Sequence, residues 1–114
     1  MAKAFVAARK ADPGKKIKLF LNDFYCEGNN SKSDVVYAIV KNLTDRQIPI
    51  DGVGLQMHLN AGSDAQPGYG GDANFGAEVS WNIARLAALG VEVRVTEMDV
   101  TCGGYSHSCD DNVG

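Results

Sequence analysis

The chain alternates strand-like and helix-like segments at a near-constant interval, and that cadence constrains its fold more than any other feature. Three segments read as strands: Ile17 to Asn22, Val53 to His58 and Val91 to Glu97. Between them lie two helical stretches. Ser33 to Leu43 opens on a capping-type serine and carries apolar residues at 36, 39, 40 and 43. Asn74 to Leu89 carries Phe75, Val79, Ile83, Leu86 and Leu89 on one stripe, and Gly90 follows it directly. Strand, helix, strand, helix, strand implies right-handed βαβ units and a parallel sheet, an α/β fold. The helix-to-strand connectors are short, whereas the strand-to-helix loop from Leu59 to Ala73 is long and rich in Gly, Asp and Asn. A (β/α)₈ barrel divides its loops in this way. A doubly wound open sheet predicts the same local pattern, so both stay open at this point.

The strand ends are polar where buried strands need no polar group. Val91, Val93 and Val95 alternate with other residues, the period-2 mark of a strand. Continuing that period places Glu97 and Asp99 on the face of the valines. An acid at the C-terminal end of a parallel strand reads as catalytic, with a capping or salt-bridging acid as the alternative. Gln56 and His58, two apart, project to one face while Leu55 and Met57 point the other way. Asn22-Asp23 ends the first strand. Each group alone could be a satisfied structural polar residue, but three consecutive strands ending alike read as one wall of a shared site.

Composition excludes several classes of function. With 114 residues, 45% of them hydrophobic, the chain suits one small domain or a piece of a larger one. Its net charge of −3 and the absence of a Lys/Arg run give no nucleic-acid surface. No apolar stretch nears the roughly 20 residues of a membrane span. Arg9 and Lys10 interrupt the amphipathic opening before a signal-peptide core could form, and residues 1–10 look like the tail of a helix. Of the three cysteines, Cys102 and Cys109 flank a loop short enough to close as a disulfide, leaving Cys26 over. A zinc reading of Cys102, His107 and Cys109 has only three candidate ligands, all in one loop. No nucleotide loop, metal site or cofactor requirement is apparent.

Several motifs taken together carry a family resemblance. Leu21-Asn22-Asp23-Phe24, Lys32-Ser33, the run from Ile50 to Leu59 and the run from Leu89 to Asp99 occur in the order and spacing of glycoside hydrolase family 10. The chain resembles these retaining endo-β-1,4-xylanases from about Phe5 to Val100. The resemblance implies that residues 1–114 are part of a (β/α)₈ TIM barrel catalytic domain, approximately strands five to seven. It implies an enzyme acting on xylan or a related β-1,4-linked polysaccharide.

Residue by residue, the resemblance implies that Glu97 is the catalytic nucleophile, that His58 hydrogen-bonds it and that Asp99 orients His58. Gln56 matches a residue near the nucleophile and the sugar. Phe24 stands where the family usually has a tyrosine that stacks on the sugar, so the ring is kept and the hydroxyl is lost. A neutral His58 donating to Glu97 would fix the nucleophile while leaving it anionic. Glu27, Gly28 and Asn30 follow a family loop as scaffold. Retaining hydrolysis also needs an acid/base carboxyl about 5–5.5 Å from the nucleophile. In the family this acid sits in an Asn-Glu pair on the strand before the one carrying Asn22. Neither Glu27, Glu78 nor Glu92 matches that position, and Trp81, in a helix, does not match the family's tryptophans.

Three strands of a fold that takes about 250 residues leave two open edges. The chain alone is therefore expected to be poorly folded or self-associating, and inactive. The competing readings are a catalytically silent β-1,4-glycan-binding homologue and an unrelated α/β scaffold. The resemblance implies an extracellular enzyme. A Cys102–Cys109 disulfide would agree with that, and the sequons at Asn29 and Asn42 matter only in a secreted eukaryotic protein.

Overall fold

The computed structural model describes residues 1–60 and 73–101. The element order is α1 (Ala2–Ala11), β1 (Phe20–Phe24), α2 (Ser31–Asp45), β2 (Gly52–Asn60), α3 (Phe75–Ala87) and β3 (Glu92–Thr101). The three strands form one parallel sheet in the order β1-β2-β3. The βαβ cadence is therefore realised as expected, with shifts at the element ends that each have a local cause.

β1 begins at Phe20, three residues later than the expected Ile17. Two of the amides before it, at Ile17 and Leu19, are spent on side chains. The Ile17 amide donates to Asp12 Oδ2 (2.8 Å) and the Leu19 amide to Asp51 Oδ2 (2.6 Å). Arg9, at the end of α1, donates to the Ile17 carbonyl (2.9 Å) and to Asp51 Oδ2 (2.5 Å), tying α1 to the entry of β1. Ile17 itself is exposed.

α2 begins at Ser31, and its N-cap is Asn30 rather than Ser33. Asn30 Oδ1 accepts from the Ser33 amide (2.9 Å), and the Asn30 amide donates to Ser33 Oγ (3.2 Å), a reciprocal capping box. Val36, Val40 and Leu43 are the buried apolar positions of this helix. α3 has Asn74 at its N-cap position, with no capping hydrogen bond from the side chain, and ends at Ala87, two residues before the expected Leu89. The chain turns through Gly90 at φ +81°, a conformation that costs glycine little.

The core lies between one face of the sheet and the helices. Val53, Leu55 and Met57 from β2 pack with Val36 and Val40 of α2, Leu86 of α3, Cys26 and Val91. Of the buried polar residues Glu27, Ser33 and Asn82, the last ties this layer to the loop after β1. Asn82 of α3 is fully buried, and its Nδ2 donates to the Cys26 carbonyl (2.7 Å) and the Glu27 carbonyl (3.0 Å), while its Oδ1 accepts from Arg85 Nε (2.8 Å). Glu78 Oε2 accepts from the Asn29 amide (3.0 Å). The loop that follows β1 is thereby fastened to α3, which fixes the height at which Phe24 leaves the sheet.

Candidate active site

The register of β2 and β3 determines which side chains meet. Val93 pairs with Val53 and Val95 with Leu55, but Gln56 pairs with Glu97 and His58 with Asp99. Thr96 is the extra residue of a β-bulge. The bulge corrects the expectation that Glu97 and Asp99 share the face of the valines. Val91 and Val93 pack against the helix-side core. Beyond Thr96 the alternation is reset, and Glu97 and Asp99 stand on the opposite face with Gln56 and His58. The expected division within β2 is observed, with Leu55 and Met57 in the core and Gln56 and His58 on the other side.

On that face His58 lies between two carboxylates. Its Nδ1 is 2.6 Å from Asp99 Oδ2, and its Nε2 is 3.5 Å from Glu97 Oε2. A neutral imidazole has one N–H. With that proton directed to Asp99, Nε2 would present a lone pair to the Glu97 carboxylate, so a neutral ring cannot donate to both. The imidazolium can. The hydrogen bond to Asp99 raises the pKa of His58 above its ordinary value, and the charges of Asp99, Glu97 and Glu27 add to it. Local burial opposes the rise. The shift favours the cationic form, in which both ring nitrogens carry a proton. Glu97 is half-exposed, so its carboxylate is open to a ligand.

The end of β1 is split between the two faces. Asn22 accepts a hydrogen bond at Oδ1 from Thr96 Oγ1 (2.6 Å) on the site face. Asp23 is directed to Lys32, 2.8 Å away, and does not join the wall as expected. The interactions with Lys32 and the Phe24 amide outweigh burial and leave the Asp23 carboxyl below its usual pKa range. Phe24 is exposed; Lys32 Nζ sits 3.7 Å from its ring centroid, and Tyr25 packs edge-on at 5.1 Å. Tyr25 holds a left-handed φ of +54°. Behind these residues Glu27 is 1% exposed, and its Oε1 has no hydrogen-bond partner among the described residues. Burial pushes its carboxyl pKa up, against the lowering effect of its own amide, Lys32 and His58.

Sequence reasoning did not single out Thr96, Gly54 or the burial of Glu27. Gly52 and Gly54, two apart in one strand, were the available signal, because alternate glycines strip one sheet face of side chains. Among the described residues no His/Cys/Asp/Glu cluster suits a metal ion, and no helix is long and apolar enough to cross a membrane. The zinc and disulfide readings at Cys102, His107 and Cys109 lie outside the described residues. Trp81 projects from α3 with Arg85 stacked 4.2 Å from its ring centroid, away from the sheet wall.

The sequence profile of the family "Glycosyl hydrolase family 10" matches residues 1–112. The chain belongs to this family. Among its family 10 relatives is endo-1,4-beta-xylanase A of Thermoanaerobacterium saccharolyticum, 40% identical over 102 residues, covering 90% of this chain and 8% of the relative. Exoglucanase XynX of Acetivibrio thermocellus is 39% identical over 102 residues, with coverage of 90% and 8%. A solved family 10 structure, an intracellular xylanase of T. saccharolyticum in complex with xylotriose, superposes with a TM-score of 0.70 at 37% identity. That match covers 87% of this chain and 26% of the other. The chain therefore spans about a quarter of that solved relative, and its three-stranded sheet is part of the (β/α)₈ barrel of family 10 xylanases. One relative being intracellular, family membership does not carry the extracellular expectation.

Proposed function

We propose that this chain supplies the nucleophile side of an endo-acting, retaining β-1,4-xylanase site. The observation that carries the proposal is His58 bridging Glu97 and Asp99 on the side of the sheet away from the helices. In this reading the Glu97 carboxylate attacks the anomeric carbon, forming a glycosyl ester as the glycosidic bond breaks. The departing oxygen takes a proton from a second carboxyl, which then deprotonates the water that hydrolyses the ester. His58 and Asp99 act as positioning residues, and the imidazolium keeps a cation beside the attacking carboxylate.

The second carboxyl is not found among the described acids. Glu27 is enclosed, Glu78 bonds to Asn29, Asp23 pairs with Lys32, and Glu92 pairs with Lys18 and Arg94 near the start of β3. It belongs to another part of the barrel, so the three strands alone are inactive. Gln56, beside Glu97 in the register, binds the sugar attacked by Glu97, and the Phe24 face not covered by Lys32 stacks on the adjoining sugar. The xylanase names of relatives and the xylotriose complex support xylan as substrate; the exoglucanase makes β-1,4-glucan the alternative.

The test is to treat the barrel enzyme carrying this segment with an activated 2-fluoro-xylobioside, whose glycosyl ester hydrolyses slowly, and to map the label by mass spectrometry. A label on Glu97, together with loss of roughly 10³-fold or more in xylan hydrolysis by Glu97→Ala, is the expected result. A label on another residue, or xylan cleavage retained by Glu97→Ala, overturns the proposal. Turnover of β-1,4-glucan in preference to xylan overturns the substrate assignment alone.

A further inference from the structure

We propose that Thr96 and Asn22 are positioning residues for Glu97, joined by a hydrogen bond that passes over Gly54. The inference rests on the reading of Glu97 as nucleophile.

β1 and β3 are not neighbours. Each pairs with β2, so their backbones lie roughly 9–10 Å apart. Side chains on the two outer strands can meet only if the central strand has nothing between them. Asn22 pairs with Gly54 in the register, and Gly54 pairs with Arg94, two residues before Thr96. A Cβ on Gly54 would lie 2.4 Å from Asn22 Oδ1 and 2.8 Å from Thr96 Cγ2. The gap left by glycine is filled from both sides, and across it Thr96 Oγ1 donates to Asn22 Oδ1 at 2.6 Å.

The placement of this bond gives it a role. Thr96 is the residue that the ladder leaves unpaired, and a bulge is free to twist unless something else holds it. A hydroxyl has one proton. The distance of 3.4 Å to the Leu55 carbonyl, against 2.6 Å to Asn22, shows where it is spent. The side chain thus replaces the missing ladder bond with a tether to the far strand, fixing the rotation of β3 at the residue before Glu97. From that fixed point the Glu97 carboxylate reaches His58. Asn22, Gly54 and Thr96 form one device: acceptor, clearance and donor.

The experiment measures kcat and KM on xylan for the barrel enzyme carrying this segment, with Thr96→Val, Thr96→Ser, Asn22→Leu and Glu97→Ala. Thr96→Val keeps the shape and removes the proton. A misaimed nucleophile lowers kcat by about 10²-fold with KM unchanged within about two-fold. Thr96→Ser restores kcat to within about three-fold, because the donor is kept. Asn22→Leu reproduces the Thr96→Val loss without touching β3, and so decides the matter if the valine variant fails to fold. Wild-type kcat in folded Thr96→Val or Asn22→Leu, with Glu97→Ala dead, overturns this proposal and leaves the nucleophile reading standing. Activity in Glu97→Ala overturns both.

Discussion

His58 and Asp99 face each other at the same register position of adjacent strands, Nδ1 to Oδ2 at 2.6 Å. This contact is the leading cause of the raised His58 pKa, and it fixes the direction of a pH effect. A folded-state value above the unfolded one makes the ion pair fully stabilising below about pH 6.5, and that stabilisation is lost as pH rises through the folded value. Asp99→Asn should return His58 toward its ordinary value in an imidazole NMR titration. Its denaturation midpoint should fall below wild type at about pH 5.5 and converge with it at about pH 9. An unshifted His58 titration in Asp99→Asn would contradict the assignment.

Glu27 predicts the opposite kind of substitution effect. A carboxyl enclosed beside an unpartnered oxygen disfavours its own ionisation, so its folded pKa is raised. The protonated acid is therefore the stabilising form, and stability is lost as pH climbs through the raised value. Glu27→Gln keeps the volume without the charge. It should be more stable than wild type by about 1 kcal/mol near neutral pH, with the advantage shrinking in acid. Chemical denaturation of both proteins across that range checks it.

Asn82 and Asn30 separate two kinds of polar residue. Truncating Asn82 to Ala strips partners from two carbonyls and from Arg85 inside the core, and should cost about 2–3 kcal/mol. Asn30→Ala removes only one arm of the capping box at the start of α2, for about 1 kcal/mol. Urea melts should rank them in that order.

Cys26 should be inert while the chain is folded. It is fully buried, and desolvation, with the charges of Glu27 and Asp23 behind it, pushes its thiol up to about 12. A thiol-specific reagent at neutral pH should label it only after denaturation. Rapid labelling in native buffer would place it elsewhere.

How much of this was legible beforehand depended on the kind of signal. The strand-helix cadence was visible because apolar spacing repeats over many residues, and Gln56 and His58 separated from Leu55 and Met57 because alternation in β2 is unbroken. The start of α2 was read at Ser33 rather than after Asn30 because both are capping types, and only hydrogen bonds distinguish them. The face of Glu97 was misread for a different reason. A bulge adds one residue without any compositional mark, so the period drawn through the valines continued past the point where the pairing slips. Glu27 was read as scaffold but not as enclosed, since a lone acid in a loop carries no signature of burial.

The register beyond that slip sets the kind of genetic change to which the wall is most exposed. Exchanging one side chain for another alters what stands at a position but not the side of the sheet on which it stands. Deleting the Thr96 codon only removes the bulge, since Val95 stays opposite Leu55 and Glu97 opposite Gln56, but deleting the Met98 codon does the reverse. With the pairing kept as far as Glu97, every remaining residue of β3 survives intact, yet Asp99 moves opposite Met57 on the helix side and Val100 takes its place beside His58. Among descendants of this chain, in-frame indels between Glu97 and Asp99 should be purged far more stringently than indels of the same size elsewhere.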